Sequence, residues 1–266
     1  MLIYKTLKGD IMYIDENDIK ISHKRLGDGS YGDVLLAKYN KQKYAYKMFD
    51  EERYFVDEWQ SKRFEELCKR YDNSTLLLPK HLARDETNID GYLTDYYKRY
   101  TFDKLFLYNL EEKIKYTYLG KDLLLRANKN KGIVHSDIHF GQLMFNPKKE
   151  TVALLDFDNA KINNLEPYKC YLSSFAKKFL SYNDYDNYLD IHLFNLLTFA
   201  LLNNMSMNVA FSNLKNPKYN KLFTSKHALK VLDDISIYKR NNNYLIDMID
   251  EKQAQKSKNK RWYYAY

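Results

Sequence analysis

The pattern of apolar and polar positions changes rhythm part-way along this chain. Short apolar runs separated by glycine, asparagine and lysine predict strands over residues 19–26, 35–39 and 43–49, the last two joined by a turn at Asn40-Lys41-Gln42. Residues 1–15 place apolar positions around Lys8-Gly9-Asp10, the pattern of a small hairpin. An irregular stripe of Phe55, Trp59, Phe64, Leu67 and Tyr71 predicts a helix over residues 55–71, and apolar strands follow at residues 76–78 and 91–97. From there the spacing is helical, over residues 102–110, 111–128 and, as a strongly apolar buried helix, 190–203. Residues 181–187 read as a polar loop, and the rest as shorter helices with loops at residues 213–219 and 240–243. The change near Tyr97 divides the chain into a strand-rich lobe, residues 1–97, and a helix-rich lobe, residues 98–266, so the fold class is α+β.

One stretch, residues 133–160, departs from the helical rhythm. Leu143-Met144-Phe145 and Val152-Ala153-Leu154-Leu155 flank Asn146-Pro147-Lys148-Lys149, a strand–turn–strand pattern with hairpin-turn chemistry. His135-Ser136-Asp137 and Asp156-Phe157-Asp158 stand at its two ends. A hairpin of this length brings Asp137 and Asp156 towards one small volume, where one carboxylate suits a substrate proton and the other a divalent metal. Either cluster alone is equally the cap or turn aspartate of an ordinary loop, so the pair needs support from elsewhere.

Support comes from the first lobe. Gly27, Gly29 and Gly32 let a backbone approach phosphate oxygens without an intervening Cβ. Glycines at this spacing also occur in turns, but here a strand follows them, not the helix of a dinucleotide fold. No G-x-x-x-x-G-K-[ST] loop is present. Ala45 leaves room for an adenine ring, and Lys47, two residues on, points the same way with an ammonium for the α- and β-phosphates. A solvated strand lysine is the plain alternative. Glu58, Glu65 and Glu66 on the expected helix are candidates to pair with Lys47, with Glu65 favoured and the other two open.

Composition adds limits. With 266 residues and net charge +8, the chain has room for a substantial core and favours anionic partners such as nucleotides or acidic proteins. Cys68 and Cys170 make neither a disulfide framework nor a metal-ligand spacing, which points to a reducing compartment. The first residues are too polar for a signal peptide, and the apolar run 193–202 falls short of a membrane span. The expectation is a soluble, cytoplasmic protein. The basic tail from Lys252, ending in aromatics, reads as a solvated helix end with a docked aromatic in preference to a nucleic-acid contact.

Taken together, Gly27-x-Gly29-x-x-Gly32-x-Val34, Ala45-x-Lys47, His135-x-Asp137 with Gln142, and Asp156-Phe157-Asp158 resemble the protein kinase-like superfamily, in its order, across roughly residues 20–205. The resemblance implies a bilobal fold, with a small antiparallel sheet of five strands plus one helix, and a larger helical lobe. It implies ATP and Mg as cofactors. Asp137 would be the catalytic base, beside His135 of the same motif, and Lys47 would hold the phosphates. Gly27, Gly29, Ser30, Gly32, Val34, Ala45 and Glu65 would line or support the nucleotide site. Asp156 would be the principal metal ligand, with Gln142 as the second. Asp190 looks like the family's brace beneath the catalytic loop.

Departures shape the choice of substrate. Gln142 stands where the family has Asn, Asp158 where it has Gly, and Ser136 where it has Arg, and no A-P-E triplet follows. His139 gives H-x-D-x-H, similar to aminoglycoside and choline phosphotransferases, a branch where D-F-D is also at home. The complete glycine loop and the short path from Tyr97 to His135 favour a protein Ser/Thr kinase acting on a protein substrate. A small-molecule kinase is the alternative, and a nucleotide-binding pseudokinase scaffold stands third.

Overall fold

The computed structural model describes residues 12–29, 31–54, 56–84, 88–98 and 100–258. The hairpin expected around Lys8-Gly9-Asp10, Ser30 of the glycine loop and the tail beyond Lys258 lie outside the described residues. The chain forms two compact units, Met1–Lys98 with Leu155–Pro167, and Arg99–Leu154 with Tyr168–Tyr266.

In the first unit six strands form one sheet: β1 (Met12–Asp15), β2 (Lys20–Gly29), β3 (Gly32–Tyr39), β4 (Gln42–Phe49), β5 (His81–Arg84) and β6 (Ile89–Asp95), in the order β1-β5-β6-β4-β3-β2. Strands β2 to β4 are a meander whose turns fall at the glycines and at Asn40-Lys41. Both Asn40 and Lys41 take positive φ, as a two-residue hairpin turn requires. The sheet expected to be antiparallel is mixed, because β1 joins the β5 edge in parallel. Leu76, Leu77 and Leu78, expected as a strand, are buried but outside the sheet.

Register decides what each face of the sheet does. Lys47 is paired across the sheet with Val34 and Tyr92, so these three share a face, and Ala45 and Phe49 join them by alternation along β4. The opposite face carries Tyr44, Tyr46, Ala37 and Leu93, packed with Ile14 and Ile19. Helix α1 (Glu58–Lys69) is capped by Asp57, whose carboxylate accepts from the Gln60 amide. It buries Gln60, Arg63, Phe64, Leu67 and Cys68, a single helical stripe. Phe64 meets Phe49 and Tyr92 at ring distances of 5.2 and 5.7 Å, so α1 lies on the Lys47 face.

The second unit is mainly helical: α2 (Leu110–Leu125), α3 (Ser174–Leu180), α4 (Asn187–Leu202), α5 (Met207–Asn213), α6 (Lys226–Ser236) and α7 (Glu251–Lys258). The segment expected as a helix over residues 102–110 is a tighter 3-10 helix, Phe102–Leu107. Every residue of α4 after Tyr188 is buried, which fits its apolar character all round. Among its polar residues Asn195 is anchored, accepting from the Leu245 amide at 2.7 Å and donating to the Asn243 carbonyl at 2.8 Å. Strands Leu143–Asn146 and Thr151–Leu154 form the expected hairpin, extended by β7 (Tyr100–Thr101). Among the described residues no helix is long and apolar enough to cross a membrane.

Candidate active site

Two clusters hold the residues singled out by the sequence, one in each unit. In the first, Lys47 is only 3% exposed, and its Nζ lies 3.2 Å from Asp158 Oδ2 and 3.5 Å from Asp156 Oδ1. Burial works against the Lys47 ammonium, but the Asp158 and Asp156 carboxylates outweigh it and raise its pKa. Asp158 is pushed up to about 6 by burial and by the charge of Asp156, with Lys47 pulling the other way. Its Oδ1 accepts from the Tyr92 hydroxyl and its carbonyl accepts from the Tyr54 hydroxyl at 2.9 Å. Asp156 itself adopts φ 63°, a left-handed conformation that an aspartate tolerates and that is often kept at functional positions. Asp158, at the position where the resemblance leads one to expect glycine, is not among the positive-φ residues.

The glycines divide in function. A Cβ on Gly29 would fall 2.4 Å from Lys47 Nζ, so this backbone passes directly against the ammonium. Gly32, at φ 153°, would drive a Cβ into the Met48 carbonyl at 1.9 Å. Gly27 faces open space. Gly91, which sequence reasoning missed, packs on β4: a Cβ there would sit 2.1 Å from the Lys47 carbonyl. Val34 and Ala45 lie on the Lys47 face, as expected.

The glutamate expected to hold Lys47 is a correction. Glu65 accepts from the Tyr13 hydroxyl, Glu66 pairs with Lys69 and Arg70, and Glu58 pairs with Lys62. The reason is helical phase: Gln60, Arg63 and Phe64 take the buried stripe of α1, which turns the three glutamates off it. Arg63, fully buried, is the second residue that sequence reasoning missed. It donates to Gln60 Oε1 at 2.7 Å, the Tyr54 hydroxyl at 2.8 Å, the Ala160 carbonyl at 3.0 Å and the Phe157 carbonyl at 3.4 Å. An arginine in a polar run carries no sequence signal that it points inward.

In the second unit, Asp190 organises the His135-Ser136-Asp137 turn. Its carboxylate accepts from the amides of Ser136 at 2.7 Å and His135 at 2.8 Å, and from Asn128 Nδ2 at 2.8 Å. Burial raises the Asp190 pKa, while His135 and these donors pull it down. Asn128 reaches it from a π-helical turn, Arg126–Asn130, that extends α2. Ser136 takes φ 65°, and the Asp137 amide donates to His135 Nδ1 at 3.4 Å. Asp137 is partly exposed, and His139 Nε2 stands 3.8 Å from its Oδ2. Gln142 is buried at 7% exposure. Among the described residues, no three His, Cys, Asp or Glu side chains gather as a metal cage.

No protein-family model matches the chain. It is similar to a mitogen-activated protein kinase kinase kinase 7-like protein of Drosophila melanogaster, 24% identical over a 220-residue alignment that covers 78% of this chain and 54% of that protein. The chain thus spans about half the length of the curated relative it matches. The match supports a protein kinase-like relationship, and the α+β architecture with its mixed sheet is compatible with such a fold.

Proposed function

We propose that this chain is an ATP- and Mg²⁺-dependent phosphotransferase that moves the γ-phosphoryl of ATP to a serine or threonine hydroxyl of a protein. The observation that carries this reading is the seating of Lys47, a buried ammonium flanked by the carboxylates of Asp156 and Asp158 with the Gly29 backbone against it. A fixed cation with a glycine backbone against it suits the polyphosphate of a nucleotide. The kinase-like match supports phosphotransfer in general.

The donors also fit magnesium. Asp156, 24% exposed, is the more accessible carboxylate of the pair, and Mg²⁺ needs only one or two carboxylates beside substrate phosphates. Bound there, the ion would supply charge neutralisation for the transferring group. Lys47 would fix the α- and β-phosphates, and Gly29 and Gly32 would let the loop lie over them. Asp137 would hold the acceptor hydroxyl and receive its proton, in a turn fixed by Asp190 and by His135.

A second reading, transfer to a small hydroxylated or amino compound, draws on His139 beside Asp137. Incubation with γ-labelled ATP and Mg²⁺ separates the two. Label on the chain itself or on a generic protein acceptor supports the first reading; turnover stimulated only by an amino-sugar or amino-alcohol supports the second. Asp137→Ala and Asp156→Ala should each abolish transfer, and full activity in either variant refutes its assigned role. Nucleotide binding without turnover would leave a binding scaffold.

A further inference from the structure

The first unit carries an unusual solution to one problem, how a buried lysine is kept aimed. Lys47 and Asp158 are both almost wholly buried, with side-chain exposures of 4% and 2%, whereas Asp156 is 24% exposed. Asp158 is in turn fixed from several directions. The Tyr92 hydroxyl donates to its carboxylate, and Tyr92 is the direct cross-strand neighbour of Lys47. The Tyr54 hydroxyl donates to its carbonyl, and Arg63 ties the carbonyls of Phe157 and Ala160 on either side of it to helix α1. The helix therefore sends a cation to the backbone of this segment, and its glutamates are engaged elsewhere.

We propose that Asp158 is the positioning residue of Lys47, held for that task by Tyr92, Tyr54 and Arg63, in place of a glutamate from helix α1. The proposal rests on reading Lys47 as the phosphate-binding lysine. Its logic is a division of labour between two neighbouring carboxylates. Asp156 is the more exposed carboxylate, with Oδ1 buried towards Lys47 and the rest of the group open to an incoming cation. Asp158 is sealed and remains the permanent counter-ion of Lys47. The lysine and its partner then belong to one sheet face and one segment pinned to it. Aiming Lys47 needs no inward movement of a helix carboxylate, so the site is assembled before any activating event.

Reductive dimethylation of the native full chain, quantified at Lys47 by peptide mass spectrometry, reads this seating without requiring turnover. Asp158→Asn should speed labelling of Lys47 by about tenfold or more. Tyr92→Phe, which keeps the ring packing and removes only the hydroxyl, should give a smaller rise and covers the case in which Asp158→Asn fails to fold. In the phosphotransfer assay Asp158→Asn should lower kcat, and ATP binding measured in EDTA, where no metal ligand contributes, should weaken because the mis-seated Lys47 is the phosphate-binding group. Wild-type labelling of Lys47 in both variants overturns the proposal. So does faster labelling in Glu65→Gln with none in Asp158→Asn. A kcat defect that excess Mg²⁺ restores makes Asp158 a metal ligand and overturns it as well. Lack of any ATP turnover by the wild-type chain refutes the phosphotransferase reading alone, and the labelling still decides whether Asp158 seats Lys47.

Discussion

Replacing Asp190 with alanine removes the acceptor that closes the His135-Ser136-Asp137 turn. Two main-chain amides, at 2.8 and 2.7 Å from the carboxylate, then lose this acceptor, while Asn128 loses one acceptor and keeps the Ile133 carbonyl. Each orphaned donor costs about 1–3 kcal/mol. Part of this is returned, because the buried carboxylate is itself unfavourable, as its raised pKa indicates. Ser136 is also freed to leave its left-handed conformation, worth about 1–3 kcal/mol. The net expectation is a local loss of about 3 kcal/mol. Because two compact units need not unfold together, a single denaturation midpoint is a blunter probe of this one turn than a local measurement. Native-state amide exchange at His135 and Ser136 is the right one, and about 3 kcal/mol corresponds to exchange faster by about a hundredfold. Phosphotransfer should fall with it, since Asp137 follows the same turn. Wild-type exchange at both amides in Asp190→Ala would refute the bracing role, whatever happened to activity.

Other outcomes follow from the same geometry. Gly91→Ala forces a Cβ into the Lys47 carbonyl and should cost about 2 kcal/mol in urea denaturation, whereas Gly27→Ala, facing open space, should stay within about 0.5 kcal/mol. Arg63→Ala strips the donor from the Phe157 and Ala160 carbonyls and from Gln60, for a loss of about 3 kcal/mol read by thermal melting. His192 packs against Phe179 and Tyr238, neither ring nitrogen has a hydrogen-bond partner among the described residues, and burial lowers its pKa to about 4. Unfolded histidine protonates near 6.5, so its contribution is whole above that pH and is lost as pH falls towards 4, by up to about 3 kcal/mol. His81, also lowered to about 4 by burial, adds in the same direction. Melting curves from pH 7 to 4.5 should show this slope, and His192→Phe should flatten it.

What could be read in advance was whatever a local rule determines. The β2–β4 meander follows from glycines and alternation, the hairpin after Asp137 from its turn chemistry, and α4 from its continuous apolar character. Features set by helical phase or by distant partners were not legible. The apolar pattern of α1 gives a stripe of Phe55, Trp59, Phe64, Leu67 and Tyr71, whereas the buried set keeps Phe64 and Leu67 and adds Gln60, Arg63 and Cys68, which shifts every glutamate off the inward line. Residues 76–78 have the apolar content of a strand and are buried, yet sheet membership depends on an available edge, and β1 occupies the edge beside β5. The π turn that carries Asn128 to Asp190 has no signature beyond helix formers followed by Gly132, at φ 65°. The resemblance puts a glycine at the position of Asp158, yet the left-handed residue of the Asp156-Phe157-Asp158 turn is Asp156.

The first unit leaves off at Lys98 and resumes only at Leu155–Pro167. A ribosome adding roughly 5–20 residues per second makes that gap a wait of several seconds. Throughout it the nascent sheet and helix already exist as sequence, while the carbonyls of Phe157 and Ala160 that receive the Arg63 guanidinium have yet to be synthesised. Until then Arg63 has Gln60 and the Tyr54 hydroxyl but lacks the two carbonyls that complete its hydrogen bonding. The last segment to arrive is thus the latch, and a chain stopped anywhere before it lacks the acceptors that close the first unit.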